Sequence, residues 1–296
     1  MLDKNISDQV RGIFASLKSQ ITFAATSRKD DEKKAGLLEF LNDIASTSEK
    51  LSVSFTEKEN TQLSFKLLKD GNETGITFRG IPNGHEFTSL LLAVLNTDGQ
   101  GKNFPDEAIQ RRIKSLKGKI VLKTYVSLTC TNCPDVVQAL NLMSLINPNI
   151  RHEMVDGGIY QQEISDLNIQ GVPAVYCNNE SLHIGRGDLG ILLQELEDMM
   201  GSETLENGEA TEHEYDVIVV GGGPAGASAA IYSARKGLKV GLVAERIGGQ
   251  VNDTTAIQNL ISVPNTNGTQ LAADLKAHLS DYPIELFEHR KIASVS

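Results

Sequence analysis

Residues 215–246, "YDVIVVGGGPAGASAAIYSARKGLKVGLVAER", admit few folds. An apolar run leads into a glycine turn, then an alanine-rich helical segment, then a second apolar run. That order reads as strand, turn, helix, strand. Within it "GGGPAG" (Gly221, Gly222, Gly223, Pro224, Ala225, Gly226) holds the spacing G-x-G-x-x-G. Gly221 serves the tight turn, Gly223 lets a pyrophosphate approach the backbone, and Gly226 lets helix and strand pack closely. The helix N-terminus then meets the phosphates. Glu245 closes the second strand about 20 residues on, where a carboxylate can hydrogen-bond a ribose hydroxyl. The strand before, the helix after and the acid at this distance together point to dinucleotide binding. The glycines alone do not separate FAD from NAD, and Gly248–Gly249 beyond the second strand could form an ordinary turn.

Ahead of this unit, residues 202–213, "SETLENGEATEH", are polar, acidic and without apolar periodicity, as expected of a linker. Before the linker, two stretches of about 100 residues, 1–101 and 102–201, follow one plan. In the first, "QITFAAT" is a strand, "AGLLEFLNDIAS" a helix and "KLSVSFT" a strand. "QLSFKLLKDGNETGITFRG" is a hairpin and "HEFTSLLLAVL" a helix. In the second, the corresponding segments are "KIVLKTYVSL", "CPDVVQALNLMSLI", "IRHEMVDGG", "GVPAVYCNNESLHIG" and "DLGILLQELEDMM". Val136, Leu140 and Met143, with Val137 beside them, make one apolar helix face. This order predicts an α/β layered fold with a small mixed sheet in each half.

The chain has 296 residues and a formal charge of −10, which disfavours nucleic acid and anionic membrane as partners. Its start, "MLDKNISDQV", is too polar for a signal peptide, and no apolar run approaches the roughly 20 residues of a membrane span. Three cysteines make no disulfide framework, so a cytoplasmic protein is expected. In that compartment the Cys-x-x-Cys of "SLTCTNCPD", Cys130 and Cys133, points to redox or metal chemistry.

Cys130 falls at a strand-to-helix junction, where helix N–H groups and the dipole favour a thiolate. Cys133 is one turn on, near enough to pair with it. Lowering a thiol from about 8.5 to about 7 raises its thiolate fraction at neutral pH roughly 15-fold. Falling nucleophilicity cancels about 5-fold of this, so the net gain in attack is only about 3-fold. Pro173 in "QGVPAV" stands where a strand begins. A cis Val172–Pro173 bond there would turn a backbone edge toward the sulfurs for a substrate strand. Two blander readings stand beside this one. Half a zinc site would need a second ligand pair, which the cysteines and six histidines do not supply, so no metal is expected. An inert packed pair is the other. Cys177, on a strand, reads as a small buried hydrophobe.

The block "SLTCTNCPDVVQALNLMSLINPNIRHEMVDGG" with "GVPAV", continuing through "YDVIVVGGGPAGASAAIYSARKGLKVGLVAERIGGQ", resembles the flavoprotein components of bacterial alkyl hydroperoxide reductases along essentially the whole chain. The resemblance implies tandem thioredoxin-like folds, with only the second redox-active, followed by a partial Rossmann-type, doubly wound FAD-binding domain at 214–296. It implies that Cys130 attacks a partner's disulfide, that Cys133 resolves it, and that Glu86 of "GHEFTSL" faces the dithiol from the inactive half. Read from sequence alone, Glu86 is simply a first-turn acid favoured by the helix dipole. "GGQ" implies Gly249 and Gln250 beside the flavin. Two departures from ordinary thioredoxins are visible: the chain has no tryptophan, and "TQLSF" in the first half lacks the proline of "GVPAV".

The chain ends at "HRKIASVS", inside the doubly wound unit, and is therefore expected to be a fragment whose FAD site is half built. In the intact family member, NADH, FAD, a second dithiol and Cys130/Cys133 would pass electrons in turn to a peroxiredoxin, the protein acting as a homodimer. A general thioredoxin-like disulfide reductase and a non-catalytic docking module are the alternatives.

Overall fold

A computed structural model of the chain describes residues 3–59, 61–203, 212–290, 292 and 294–295. The chain divides into two compact units, 1–203 and 204–296. Residues 204–211 of the expected linker lie outside the described residues.

The first unit is built on one eight-stranded sheet. α1 (Lys4–Phe14), capped by Asp3, precedes β1 (Ile21–Ser27), α2 (Lys34–Ala45) and β2 (Leu51–Glu57). A hairpin, β3 (Ser64–Lys69) and β4 (Asn72–Arg79), follows; a short 3-10 turn (Gly84–Glu86) then opens α3 (Phe87–Asp98). The second half begins with α4 (Glu107–Ser115), capped by Asp106, and β5 (Ile120–Val126). α5 (Cys133–Ile146), β6 (Ile150–Asp156) and α6 (Gln161–Asp166) come next, and β7 (Ala174–Cys177), β8 (Glu180–Ile184) and α7 (Leu189–Met200) end the unit.

The two halves share one connectivity. β1 pairs parallel with β2 and antiparallel with β3, which pairs antiparallel with β4; β5, β6, β7 and β8 repeat those relations in order. Each half is thus a βαβ unit followed by a hairpin and a helix, the thioredoxin-like arrangement. The strand order β2-β1-β3-β4-β6-β5-β7-β8 shows how they join: β4 and β6 pair in parallel, Ile76 beside His152 through Arg79 beside Val155.

Alternation along the strands explains which face is covered. In "ITFAATS" Ile21, Phe23 and Ala25 are buried and the residues between them are half-buried. Phe23 meets Phe65 edge-on and Phe65 stacks on Phe78 with centroids 5.1 Å apart. Each such ring contributes about 1.5–3 kcal/mol through burial alone. Val136, Val137, Leu140 and Met143 of α5 are fully buried, and α5 packs along α3 of the other half.

Polar groups close the seam. The Arg79 guanidinium is buried over the Tyr160 ring, 4.3 Å from its centroid, and donates to Glu163 and Gln62. Tyr125 donates to the same Glu163 carboxylate at 2.9 Å. These contacts tie residues from both halves, and removing one partner would leave a buried charge uncompensated.

The second unit is a three-stranded parallel sheet, order β11-β10-β9, from β9 (Val217–Val220), β10 (Val240–Val243) and β11 (Ile284–Phe287). α8 (Pro224–Arg235) connects the first two strands and α9 (Gly268–Ser280) the last two. Ala227, Ala230 and Ile231 of α8 pack with Val240 and Leu242 into its core.

Two buried titratable groups of the first unit respond to pH in opposite senses. His152 lies between Thr124 Oγ1 and Asn141 Oδ1, each 2.7 Å from a ring nitrogen, and burial lowers its pKa from 6.5 to about 3. Its folded form binds fewer protons than the unfolded chain, so stability is lost as pH falls from 6.5 toward 3. Glu86 is also buried, and burial, with a smaller push from Asp135, raises its pKa from 4.5 to about 7. Its folded form binds more protons, so stability is gained as pH falls from 7 toward 4.5. Each contributes a slope of up to about 1.4 kcal/mol per pH unit. Urea unfolding between pH 7 and 4.5 is expected to show His152→Asn gaining stability relative to the parent as pH falls, and Glu86→Gln losing it.

Candidate functional site

β5 delivers the chain to the loop 127–132, and α5 begins at Cys133 with Pro134 in its first turn and Asp135 behind it. Cys130 and Cys133 form a disulfide with Cα atoms 5.5 Å apart. Cys133 is fully buried and packs into the core of the first half, whereas Cys130 is half-buried. An incoming group therefore reaches Cys130. The Cys133 N–H, the first of the helix, points at Cys130 Sγ over 3.1 Å.

The Val172–Pro173 bond is cis, and the Val172 carbonyl oxygen lies 3.8 Å from Cys130 Sγ. Pro173 is buried at the start of β7, and its carbonyl accepts from Gly185 N–H at 2.8 Å.

The first half reaches the same loop through the turn 84–86. His85 N–H donates to the Leu128 carbonyl at 3.0 Å, and Gly84, with φ 55°, lies so close that a Cβ there would run into that carbonyl. This contact places Glu86 at the seam beside the first turn of α5, where Asp135 acts on it electrostatically. Neither carboxylate oxygen has a hydrogen-bond partner; the Ser89 hydroxyl, one turn on, offsets a little of the burial without reaching hydrogen-bond geometry. The corresponding pole of the first half differs in every part. Its loop after β1 is "RKDDEK", without sulfur, and Gln62, two residues before β3, is held by Arg79 and Glu163.

Cys177 is buried beside Leu122 in the sheet, and burial pushes its thiol up. Among the described residues no group of three or more His, Cys, Asp and Glu is placed to hold a metal, and no helix is long and apolar enough to cross a membrane.

In the second unit the glycine turn lines a cleft of about 760 Å³, together with Pro224, Ala225, Glu245, Gly249 and Gln250. Gly221 has φ 108°, which turns the chain from β9 into α8. A Cβ on Gly226 would run into the Gly221 carbonyl, whereas one on Gly223 would meet nothing closer than the Gly248 carbonyl at 3.9 Å. The first turn of α8 has no side-chain cap, which leaves its N–H groups for phosphate oxygens. The shape and donors therefore suit a dinucleotide pyrophosphate. Arg246 and Arg290 also line the cleft. Sequence reasoning passed over both, and nothing near Arg290 in the sequence signals it, because β11 brings it there from far beyond the glycine turn.

Known proteins resemble both units. A family model described as FAD dependent oxidoreductase matches residues 216–272. The chain is 46% identical over 286 residues to a Bacillus subtilis protein named NADH dehydrogenase, covering 97% of this chain and 55% of that one. It is 45% identical over 285 residues to the F subunit of alkyl hydroperoxide reductase from Staphylococcus aureus, covering 96% and 54%. The chain thus spans about half the length of these relatives. Among solved structures, the NTD_N/C domain of alkylhydroperoxide reductase AhpF from Enterococcus faecalis superposes with TM-score 0.62 at 33% identity, over 66% of this chain and all of that domain. A protein disulfide oxidoreductase from Aeropyrum pernix shares the fold, with TM-score 0.60 at 18% identity over 70% of this chain and 98% of that one. With a dithiol on tandem thioredoxin-like halves, a glycine-lined cleft and these relatives, the chain belongs to the AhpF family of alkyl hydroperoxide reductases.

Proposed function

We propose that the chain is the electron-delivering part of a flavoprotein disulfide oxidoreductase, which passes electrons originating with NADH to the disulfide of a peroxiredoxin in the cytoplasm. The observation that carries this reading is the asymmetry of the dithiol: Cys130 half-buried under a helix N-terminus, Cys133 buried behind it.

In the reduced state, Cys130 attacks one sulfur of the partner's disulfide as a thiolate. A mixed disulfide forms and one partner thiolate leaves. Cys133, after losing its proton, attacks Cys130 Sγ and releases the second partner thiolate. The partner gains two electrons, and the chain is left with the Cys130–Cys133 disulfide. The Cys133 N–H stabilises Cys130 as thiolate before the first step and as leaving group when the partner attacks in reverse. Val172 and Pro173 supply the backbone edge beside which the partner's strand lies. Glu86, buried beside the first turn of α5, would exchange a proton as Cys133 changes state.

Gly221–Gly226, Glu245, Gly249 and Gln250 would hold FAD through its pyrophosphate and ribose, and bound there it would supply two-electron chemistry. NADH is the reductant this reading assigns to the whole protein, as a homodimer.

Reduced chain mixed with an oxidised peroxiredoxin is expected to yield free partner thiols, and Cys130→Ser to reduce that transfer by more than 1000-fold. Cys133→Ser is expected to accumulate a mixed disulfide through Cys130, visible on a non-reducing gel. Transfer retained by Cys130→Ser would overturn the reading. No mixed disulfide and undiminished partner binding in the double serine variant would favour a docking module. Gly223→Val is expected to weaken FAD binding at least tenfold in a fluorescence titration.

A further inference from the structure

We infer that His183 is a positioning residue for the partner's docking edge, a role that rests on the function proposed above. It stands on β8 opposite Val175, two residues beyond Pro173 on the facing strand. Its Nδ1 lies 3.0 and 3.1 Å from the two carboxylate oxygens of Glu195 on α7. Its Nε2 lies 3.1 Å from the Gly185 carbonyl and 3.0 Å from the Arg186 carbonyl. All four partners are acceptors, Glu195 on one side of the ring and the two loop carbonyls on the other.

The loop Gly185–Asp188 is wrapped around this ring. A Cβ on Gly187 would stand 2.7 Å from Nε2, so any larger residue there would shift the ring. The loop's far end is fixed where Asp188 caps α7, accepting from Gly190 and Ile191 N–H at 2.9 and 3.0 Å. Its near end is Gly185, whose N–H donates to the Pro173 carbonyl. The imidazole therefore holds the loop, the loop holds Pro173, and Val172 beside it faces Cys130 Sγ. Among the described residues no hydrogen bond joins His183 or its loop to either sulfur, and the relay reaches Cys130 only through the Val172 carbonyl. Its effect falls on where a partner's backbone docks and leaves the reactivity of the thiolate alone.

The full reduced chain, its His183→Ala variant and its Gly187→Ala variant would be compared for turnover on an oxidised peroxiredoxin and for alkylation of Cys130 by iodoacetamide, which needs no docking edge. Both variants are expected to raise KM about tenfold, with kcat and the alkylation rate within twofold of the parent. Gly187→Ala keeps the imidazole and displaces it, so it decides the matter should His183→Ala unfold. Unchanged KM in a folded variant, or a loss confined to kcat and alkylation, would overturn the inference while leaving the proposed function intact. A parent chain that fails to reduce the peroxiredoxin would remove the proposed function and this role with it.

Discussion

The parallel pairing of β4 with β6 is the contact on which the rest of the first unit depends. It turns two four-stranded sheets into one, and it sets α3 of the first half along α5 of the second. Because the strands run the same way, their C-terminal ends lie at one pole. The turn 84–86, which follows β4, is thereby carried to the loop that precedes Cys130. A different register would move Gly84 away from Leu128 and Glu86 away from α5. Main-chain pairing thus decides which side chain of a cysteine-free half is buried beside the first turn of α5.

The exchange between halves runs both ways, with opposite results. The first half presents a turn to the redox loop and leaves Cys130 accessible. The second half sends Tyr160 and Glu163 against Arg79 and Gln62, filling the corresponding place in the first. One connectivity therefore supports an open pole and a closed one, and the difference lies in a few side chains placed on equivalent loops. Thioredoxin-like folding alone would not say which half works.

Much of this was legible in the residues. The apolar face Val136, Val137, Leu140, Met143 marks α5, and Pro134 with Asp135 marks its start, so the helix runs over the segment that periodicity indicated. The strand–glycine–helix run marks β9, α8 and β10 for the same local reason. α1, α4 and α6 went unread, although Asp3 and Asp106 are ordinary capping signals for the first two. What no local pattern could supply is partnership across the chain. The β4–β6 pair joins Ile76 to His152, residues distant in the chain, and the burial of Glu86 follows from it. Likewise, the contacts of His183 with Glu195 and with the loop carbonyls require α7 to fold back over the hairpin.

The fused sheet also bears on how the redox half could exist alone. Cut away from its companion, it would keep both sulfurs and the proline, yet β6 would become a naked edge with a full row of unsatisfied amides and carbonyls. Such a rim recruits other chains. The cysteine-free half, through β4, keeps that rim covered for as long as the two remain covalently linked.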